Sequence, residues 1–192
     1  MPDPERASAS RRLFFALWPD AALRDEASRR VAALVAAAGG RPQRPDQLHV
    51  TLVFLGSVAE GRFDVVHAVG ARMSGVPVSV ALDRLEHWRK PQVLCLTASQ
   101  VPLPLVALVE GLRTTLAAEG LPTETRPYCP HLTLARKVTR FGARTEVEPL
   151  LWPADSITLV ESRSDAQGSR YEPLASWPLE AGKGLIARDR NG

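Results

Sequence analysis

The stretches Leu48-His-Val-Thr-Leu52 and Pro130-His-Leu-Thr-Leu134 decide how this chain is organised, because they repeat one pattern of apolar and polar residues. His131 lies 82 residues after His49, and the same shift carries a helix-like segment at 21–37 onto another at 103–119. In both copies the helix-like segment ends at glycine, and a linker leads to the His-x-Thr strand. Three features repeated in one order at one spacing indicate an internal duplication, and therefore two similar lobes.

Apolar spacing supports both helices of the repeat. Asp20 has a side chain suited to capping a helix N-terminus, and the Gly39-Gly40 pair is suited to ending a helix. The first helix is expected to bury Leu23, Ala27, Val31, Leu34 and Ala38. The second, predicted over 102–119, is expected to bury Leu105, Leu108, Val109, Leu112 and Leu116. A shorter helix is predicted over 61–73.

Short apolar runs between these helices predict the strands. They cover 13–18, 48–55, 78–82, 93–96, 131–134, 157–160 and 171–179. Gly56 is expected to close the second run, and the basic tip Arg89-Lys90-Pro91 joins two runs as a hairpin turn would. The sequence therefore predicts an α+β fold of two pseudo-symmetric lobes, each an antiparallel sheet with outer helices, with an active groove between them.

Length and composition indicate one globular domain. Of the 192 residues 45% are hydrophobic and 23% are charged, which excludes a wholly disordered chain. Residues 12–180 are expected to form the two-lobed domain, between flexible tails at 1–11 and 181–192. Cys95 and Cys129 are too few for a disulfide framework, and no apolar stretch approaches the ~20 residues of a membrane span. We expect a cytoplasmic protein without a membrane partner, and a monomer.

The charge balance is mildly basic. The formal net charge is +3, and arginine supplies nearly all of the positive charge because only Lys90, Lys137 and Lys183 are lysines. Arginine suits planar, bidentate recognition of phosphate. This bias is compatible with a polyanion such as RNA, and a proteome rich in alanine and arginine would produce it equally well.

The His-x-Thr pattern carries the chemistry. Residues two apart on a strand share a face, so His49 and Thr51 point the same way while Val50 points into a core. The same alternation applies to His131 and Thr133. If the lobes pack with these faces opposed, the groove between them holds two imidazoles and two hydroxyls.

That set of groups suits in-line displacement at a phosphodiester. One imidazole removes a proton from the attacking oxygen and the other protonates the leaving oxygen, since an unperturbed pKa of ~6.5 allows either role near neutral pH. Threonine hydroxyls can donate hydrogen bonds to the non-bridging oxygens as negative charge develops on them. The scheme requires no metal and no other cofactor.

Other sites are disfavoured by spacing. Neither histidine of the pair has a His-x3-His or Cys-x2-Cys partner, and neither motif contains Asp or Glu, although Cys129-x-His131 is a possible pair of metal ligands. No Gly-x-Ser-x-Gly elbow and no Gly-x4-Gly-Lys loop occurs. His67 and His87 are expected to be ordinary surface residues.

Through these two motifs the chain resembles the two-histidine phosphoesterase superfamily, and more closely the bacterial RNA 2′,3′-cyclic phosphodiesterases, historically called 2′-5′ RNA ligases. The stretches that carry the resemblance are Arg12-Leu-Phe-Phe-Ala-Leu17, Leu48-His-Val-Thr-Leu-Val-Phe-Leu-Gly56, Pro130-His-Leu-Thr-Leu-Ala-Arg136 and Ser169-Arg-Tyr-Glu-Pro-Leu174. It extends from about 12 to 179. It implies metal-independent opening of a 2′,3′-cyclic phosphate to a 2′-phosphomonoester in a central groove.

The resemblance also implies a role for each motif residue. His49 would be the proton donor to the leaving 3′ oxygen, and His131 the proton acceptor that acts on water. Thr51 and Thr133 would bind the phosphate oxygens. The expected ligands are RNA with 2′,3′-cyclic phosphate ends or small cyclic nucleotides.

Arg136 fits less easily as a substrate contact. It matches the family's arginine after the second motif, but strand alternation puts it on the face opposite His131 and Thr133. It reaches the groove only if the strand ends or bulges first. Phe14, Tyr128 and Trp88 could stack a base, although aromatic residues at such positions are more often part of a core.

Three functions remain open at this point. The first is hydrolysis of RNA 2′,3′-cyclic phosphate ends. The second is the joining of such an end to a 5′-hydroxyl through a 2′-5′ bond, which microscopic reversibility makes available in the same site. The third is a non-catalytic RNA-binding module, which would explain the basic balance but not two intact His-Thr pairs.

Overall fold

The computed structural model describes residues 9–38, 40–121, 123–139, 141–142, 145–165 and 168–180. Most of the tail expected at 1–11 and all of the tail expected at 181–192 lie outside the described residues, as does Gly39 of the predicted helix stop. Ser10 and Arg11, which fall within the tail predicted at 1–11, belong to the first strand.

The described elements alternate between strands and helices. In chain order they are β1 (Ser10–Leu17), α1 (Ala21–Ala38), β2 (Arg41–Pro42), β3 (Val50–Ala59), α2 (Phe63–Arg72), β4 (Val78–Trp88), β5 (Val93–Thr97), α3 (Leu103–Ala118), β6 (His131–Arg136), β7 (Thr145–Ala154), β8 (Ser156–Asp165) and β9 (Gly168–Pro178). Two short 3-10 helices, Pro45–Gln47 and Glu60–Arg62, precede β3 and α2.

All strands of the described chain belong to one antiparallel sheet. Its order is β7-β4-β5-β6-β3-β1-β8-β9, with β2 paired to β6. The two motif strands, β3 and β6, are neighbours at the centre and pair through Val50 and Leu132. The α+β class and the two pseudo-symmetric halves are confirmed, because β1-α1-β3 repeats as β5-α3-β6. The two halves were predicted to have separate sheets with their motif faces opposed. Their strands instead form one continuous sheet, in which the two motif strands lie side by side.

The apolar faces of α1 and α3 belong to the buried core of the protein. All five residues predicted for α3 are buried. Each buried Leu or Val side chain contributes roughly 1.5–3 kcal/mol to folding. In α1 the prediction holds for Ala27 and Val31, whereas Leu23, Leu34 and Ala38 are only partly buried and Val35, which was not predicted, is buried. The cap is confirmed, since Asp20 Oδ1 accepts a hydrogen bond from the Leu23 N–H at 2.7 Å.

The strands differ from the prediction in several places, since β2 was not predicted and β4 and β8 extend beyond the predicted runs at 78–82 and 157–160. Strand β3 continues beyond Gly56 to Ala59, because Gly56 at φ +71° sits in a bulge that leaves Leu55 without a partner on β1. Strand β7 was not predicted. It contains two prolines and is an edge strand paired to β4, where a missing N–H is tolerated.

None of the described helices is long and apolar enough to cross a membrane.

Candidate active site

The four motif residues converge at the centre of the sheet. Val50 pairs with Leu132 in antiparallel register. Moving one residue in each direction therefore brings His49 level with Thr133 and Thr51 level with His131. All four line one pocket of about 580 Å³. The predicted alternation is confirmed, because Val50, Leu52, Leu132 and Leu134 are buried behind them.

Each imidazole is held by the backbone two residues before it. His49 Nδ1 lies 2.7 Å from the Gln47 carbonyl oxygen, and His131 Nδ1 lies 3.0 Å from the Cys129 carbonyl oxygen. A carbonyl only accepts, so Nδ1–H donates in both rings. The neutral ring therefore carries its lone pair on Nε2. These bonds fix the tautomer and leave Nε2 as the nitrogen that exchanges protons.

The surroundings of the two rings differ. His49 is packed among Phe14, Trp18 and Tyr171, with ring centroids 5.0, 5.7 and 4.9 Å away, and the Trp18 indole stacks on it at 15°. His131 is in ring contact with Trp88, with centroids 4.7 Å apart and planes tilted by 54°. Three aromatic rings therefore cover part of the first imidazole, whereas one ring contacts the second.

These surroundings shift both histidines toward the neutral form. Burial lowers the pKa of His49 to about 4, against the Gln47 hydrogen bond, and the charges of His131 and Arg136 act in the same direction as burial. Burial also lowers the pKa of His131, but there the Cys129 hydrogen bond and the Glu124 carboxylate oppose the shift. Both shifts favour the neutral form of the imidazole.

A bulge brings Arg136 into the same pocket. Thr133 pairs with Cys95, but Ala135 pairs with Leu94, so Leu134 is an extra residue on β6. Leu134 and Ala135 are both buried, and the alternation is reset. Arg136 then lines the pocket with the motif residues, which meets the condition stated from the sequence. Its charge lowers the pKa of both histidines.

Four further arginines line the pocket and were not predicted as site residues from the sequence. They are Arg12, Arg41, Arg44 and Arg170. No described residue that lines the pocket is acidic. The spacing Arg41-Pro-Gln-Arg44 and the segment at 169–174 were visible as sequence, but nothing local indicated that both would reach the motif strands. We call these four residues the arginine rim.

The aromatic candidates divide between two cavities. Phe14 lines the pocket of the histidines, whereas Trp88 and Tyr128 line an adjacent cavity of about 590 Å³ that also contacts His131. Glu86 accepts the Trp88 indole N–H at 3.1 Å, which fixes the ring beside His131. Tyr128 donates its hydroxyl to the Thr51 carbonyl oxygen at 3.2 Å, and burial raises its pKa.

The other histidines lie elsewhere. His67 is exposed on α2 and contacts the Trp177 ring at 5.0 Å. His87 is half-buried, with Nε2 2.8 Å from the Val138 carbonyl oxygen. In the described part of the chain, no group of three or more His, Cys, Asp and Glu side chains is arranged to hold a metal ion.

Comparison with known proteins places this chain in a family. Residues 23–166 match the sequence model of the 2'-5' RNA ligase superfamily. The chain is 31% identical over 175 residues to the RNA 2',3'-cyclic phosphodiesterase of Escherichia coli, covering 90% of this chain and 98% of that protein. It is 30% identical over 161 residues to the protein of that name from Thermus thermophilus, covering 76% and 79%.

A solved structure shows the same architecture. The crystal structure of Escherichia coli LigT in apo form superimposes with a TM-score of 0.78 at 30% identity, covering 90% of this chain and 99% of that chain. The resemblance stated from the sequence is confirmed.

Proposed function

This chain belongs to the 2'-5' RNA ligase superfamily, and from that membership we propose that it hydrolyses RNA 2′,3′-cyclic phosphate ends to 2′-phosphomonoesters. The observation that carries the proposal is the pair of imidazoles in one pocket, each with Nδ1–H bonded to a carbonyl and each beside a threonine hydroxyl. A module that only bound RNA would not require two proton-transfer groups with fixed tautomers.

In the proposed reaction His131 is the proton acceptor. Its Nε2 removes a proton from water as the water oxygen attacks phosphorus. A neutral ring is needed for this step, and burial keeps the pKa of His131 below its usual value. The imidazolium that forms donates Nδ1–H to the Cys129 carbonyl, which stabilises the positive charge.

His49 is the proposed proton donor. As the bond between phosphorus and the 3′ oxygen breaks, His49 Nε2–H protonates that oxygen, and the phosphate remains on the 2′ oxygen. The donor must first bind a proton that burial disfavours. The negative charge of the cyclic phosphate raises the pKa of a neighbouring imidazole, so substrate binding itself charges the donor.

Thr51, Thr133 and Arg136 are proposed to stabilise the charge that develops on the phosphate. The two hydroxyls would donate hydrogen bonds to the non-bridging oxygens, and the guanidinium would neutralise them. All three side chains line the pocket of the histidines. The scheme uses only groups of this chain.

End joining is the second candidate, and the cavity beside His131 favours it. That cavity is lined by Trp88, Lys90 and Arg126 and has the size of a nucleotide site. In joining, a 5′-hydroxyl replaces water: its oxygen forms the bond to phosphorus, His131 takes its proton, and His49 protonates the departing 3′ oxygen.

The test is a product assay on a 2′,3′-cyclic-ended oligonucleotide, with and without EDTA and with and without a 5′-hydroxyl acceptor. We expect a 2′-phosphomonoester by ³¹P NMR, with a rate that EDTA does not change. A 3′-phosphomonoester would contradict the assignment of the leaving oxygen. Activity lost in EDTA and restored by a divalent ion would contradict the metal-free scheme. Ligated product as the main outcome would favour joining.

A cytoplasmic location and a monomeric state complete the proposal. The location rests on the sparse cysteine usage. The monomer is supported by a complete set of proposed catalytic groups within one chain, and sedimentation at micromolar concentration tests it.

A further inference from the structure

The pocket carries more positive charge than a cyclic phosphate needs. A 2′,3′-cyclic phosphate bears one negative charge, and Arg136 with the two histidines already surrounds it. The four guanidiniums of the arginine rim come from different elements, β1, β2, the linker that follows and β9, and all are exposed. Four guanidiniums from separate parts of the chain therefore meet at one opening.

Two of the arginines are directly opposed. Arg41 of β2 pairs with Arg136 of β6 in antiparallel register. Gly40 at φ +92° brings β2 this close, because a Cβ there would lie 2.8 Å from the Arg136 carbonyl oxygen. Like charges directly opposite across strands destabilise a sheet. Separate anions, one at each guanidinium, offset that repulsion.

The rest of the rim is held toward the same opening. The Gln47 side chain donates a hydrogen bond to the Ser169 carbonyl, which ties the Arg44 segment to the strand of Arg170. Arg12 is positioned with Cζ 4.7 Å from the centroid of the Phe54 ring. Arg44 is paired with Asp46 at 2.6 Å, and both side chains are more than half exposed. A phosphate can compete for such a solvent-exposed pair.

We propose that the arginine rim is a second phosphate subsite, which holds the internucleotide phosphate on the 5′ side of the cyclic end. The inference rests on the proposed function and names its substrate class: RNA chains, in preference to mononucleoside cyclic phosphates. The cyclic phosphate lies against the histidines and Arg136, and the next phosphate of the chain contacts the rim. Guanidiniums suit this ligand because they bind phosphate oxygens in pairs.

The experiment compares kcat/KM for three substrates that differ in the second phosphate. They are adenosine 2′,3′-cyclic phosphate, the same nucleotide with a 5′-phosphate, and the dinucleotide ApA with a 2′,3′-cyclic end. The wild-type protein should use the second and third substrates at least about tenfold better than the first, since one charge-assisted contact gives about that factor. The advantage should shrink as salt is raised from 50 to 500 mM.

Variants locate the effect in the rim. The double variant Arg41→Ala/Arg44→Ala should lose about tenfold on the two substrates with a second phosphate and less than about threefold on adenosine 2′,3′-cyclic phosphate. The double variant Arg29→Ala/Arg72→Ala is the matched control, because both are exposed helix arginines outside the pocket and the variant removes the same charge. It should leave all three values unchanged. Circular dichroism melts of both variants check that they are folded.

Several outcomes would overturn the subsite. Equal kcat/KM for all three wild-type substrates would do so, and so would equal losses by the double variant on all three. A gain from the dinucleotide without one from the 5′-phosphate would show that the second nucleoside, and not its phosphate, is bound. If the wild type turned over none of them, the proposed function itself would fail, whereas turnover of the mononucleotide without a gain contradicts the subsite alone.

Discussion

The two halves of the site share one local geometry and differ in what covers it. In both, the imidazole donates Nδ1–H to the carbonyl two residues earlier and has a threonine two residues later. His49, however, is enclosed by three aromatic rings and its pKa falls to about 4, whereas His131 contacts Trp88 and is near Glu124. Duplication supplies two equivalent groups, and the environment of each group makes them unequal.

The first prediction removes each histidine in turn. His49→Ala and His131→Ala should each lower kcat for a 2′,3′-cyclic-ended oligonucleotide by about 10²–10⁴-fold, the usual contribution of a positioned acid or base. The double variant should be little worse than the poorer single variant, because the two groups act as a unit. His67→Ala, remote from the pocket, is the control. Wild-type turnover by His131→Ala would show that the site is misplaced.

The second prediction tests the unequal burial through stability. The folded pKa of His49 lies below the unfolded value of about 6.5, so folding favours the neutral ring. This stabilisation is complete above pH 6.5 and is lost as the pH falls toward 4, at a cost of about 3 kcal/mol. Urea unfolding at pH 7.5 and 4.5 should show a smaller loss for His49→Gln than for the wild type.

His131→Gln is the comparison for that measurement. The pKa of the His131 imidazole is also lowered in the folded protein, but the Cys129 hydrogen bond and Glu124 oppose that shift. The substitution should therefore reduce the loss of stability between pH 7.5 and 4.5 by less than His49→Gln does. If the two variants reduced the loss of unfolding free energy at pH 4.5 by the same amount, the two histidines would not differ in burial as proposed.

The third prediction separates donor from acceptor. A substrate whose 3′ oxygen is replaced by sulfur releases a thiolate, which is stable near neutral pH without a proton. His49→Ala should then recover to within about tenfold of the wild-type rate, while His131→Ala stays slow because water must still be deprotonated. Single-turnover rates on both substrates provide the measurement. Recovery of His131→Ala instead would exchange the two roles.

The fourth prediction concerns the hydroxyls and has the smallest effect. Thr51→Val and Thr133→Val should each lower kcat by about 10-fold, since one hydrogen bond to developing charge is lost and water partly replaces it. By the pseudo-symmetry of the site the two losses should be similar. A loss in one variant alone, measured at saturating substrate, would show that the phosphate rests against a single lobe.

The sequence correctly predicted those features of the structure that depend on residues close together in the chain. The helical face of α3 and the inward-outward alternation around both motifs depend on residues a few positions apart, and both were confirmed. Strand β7 was missed because its prolines hide the strand pattern, and only its edge position permits them.

The sequence by itself determined that this protein has two His-x-Thr motifs on matching strand faces of two similar halves, because a repeat and an alternation are written in neighbouring residues. Only the tertiary structure decided how they meet. The pairing of Val50 with Leu132 places each histidine opposite the threonine of the other half. The bulge at the extra residue Leu134 turns Arg136 toward the pocket. Contacts between residues about 80 positions apart depend on the register and packing of the whole sheet, and no local pattern encodes them.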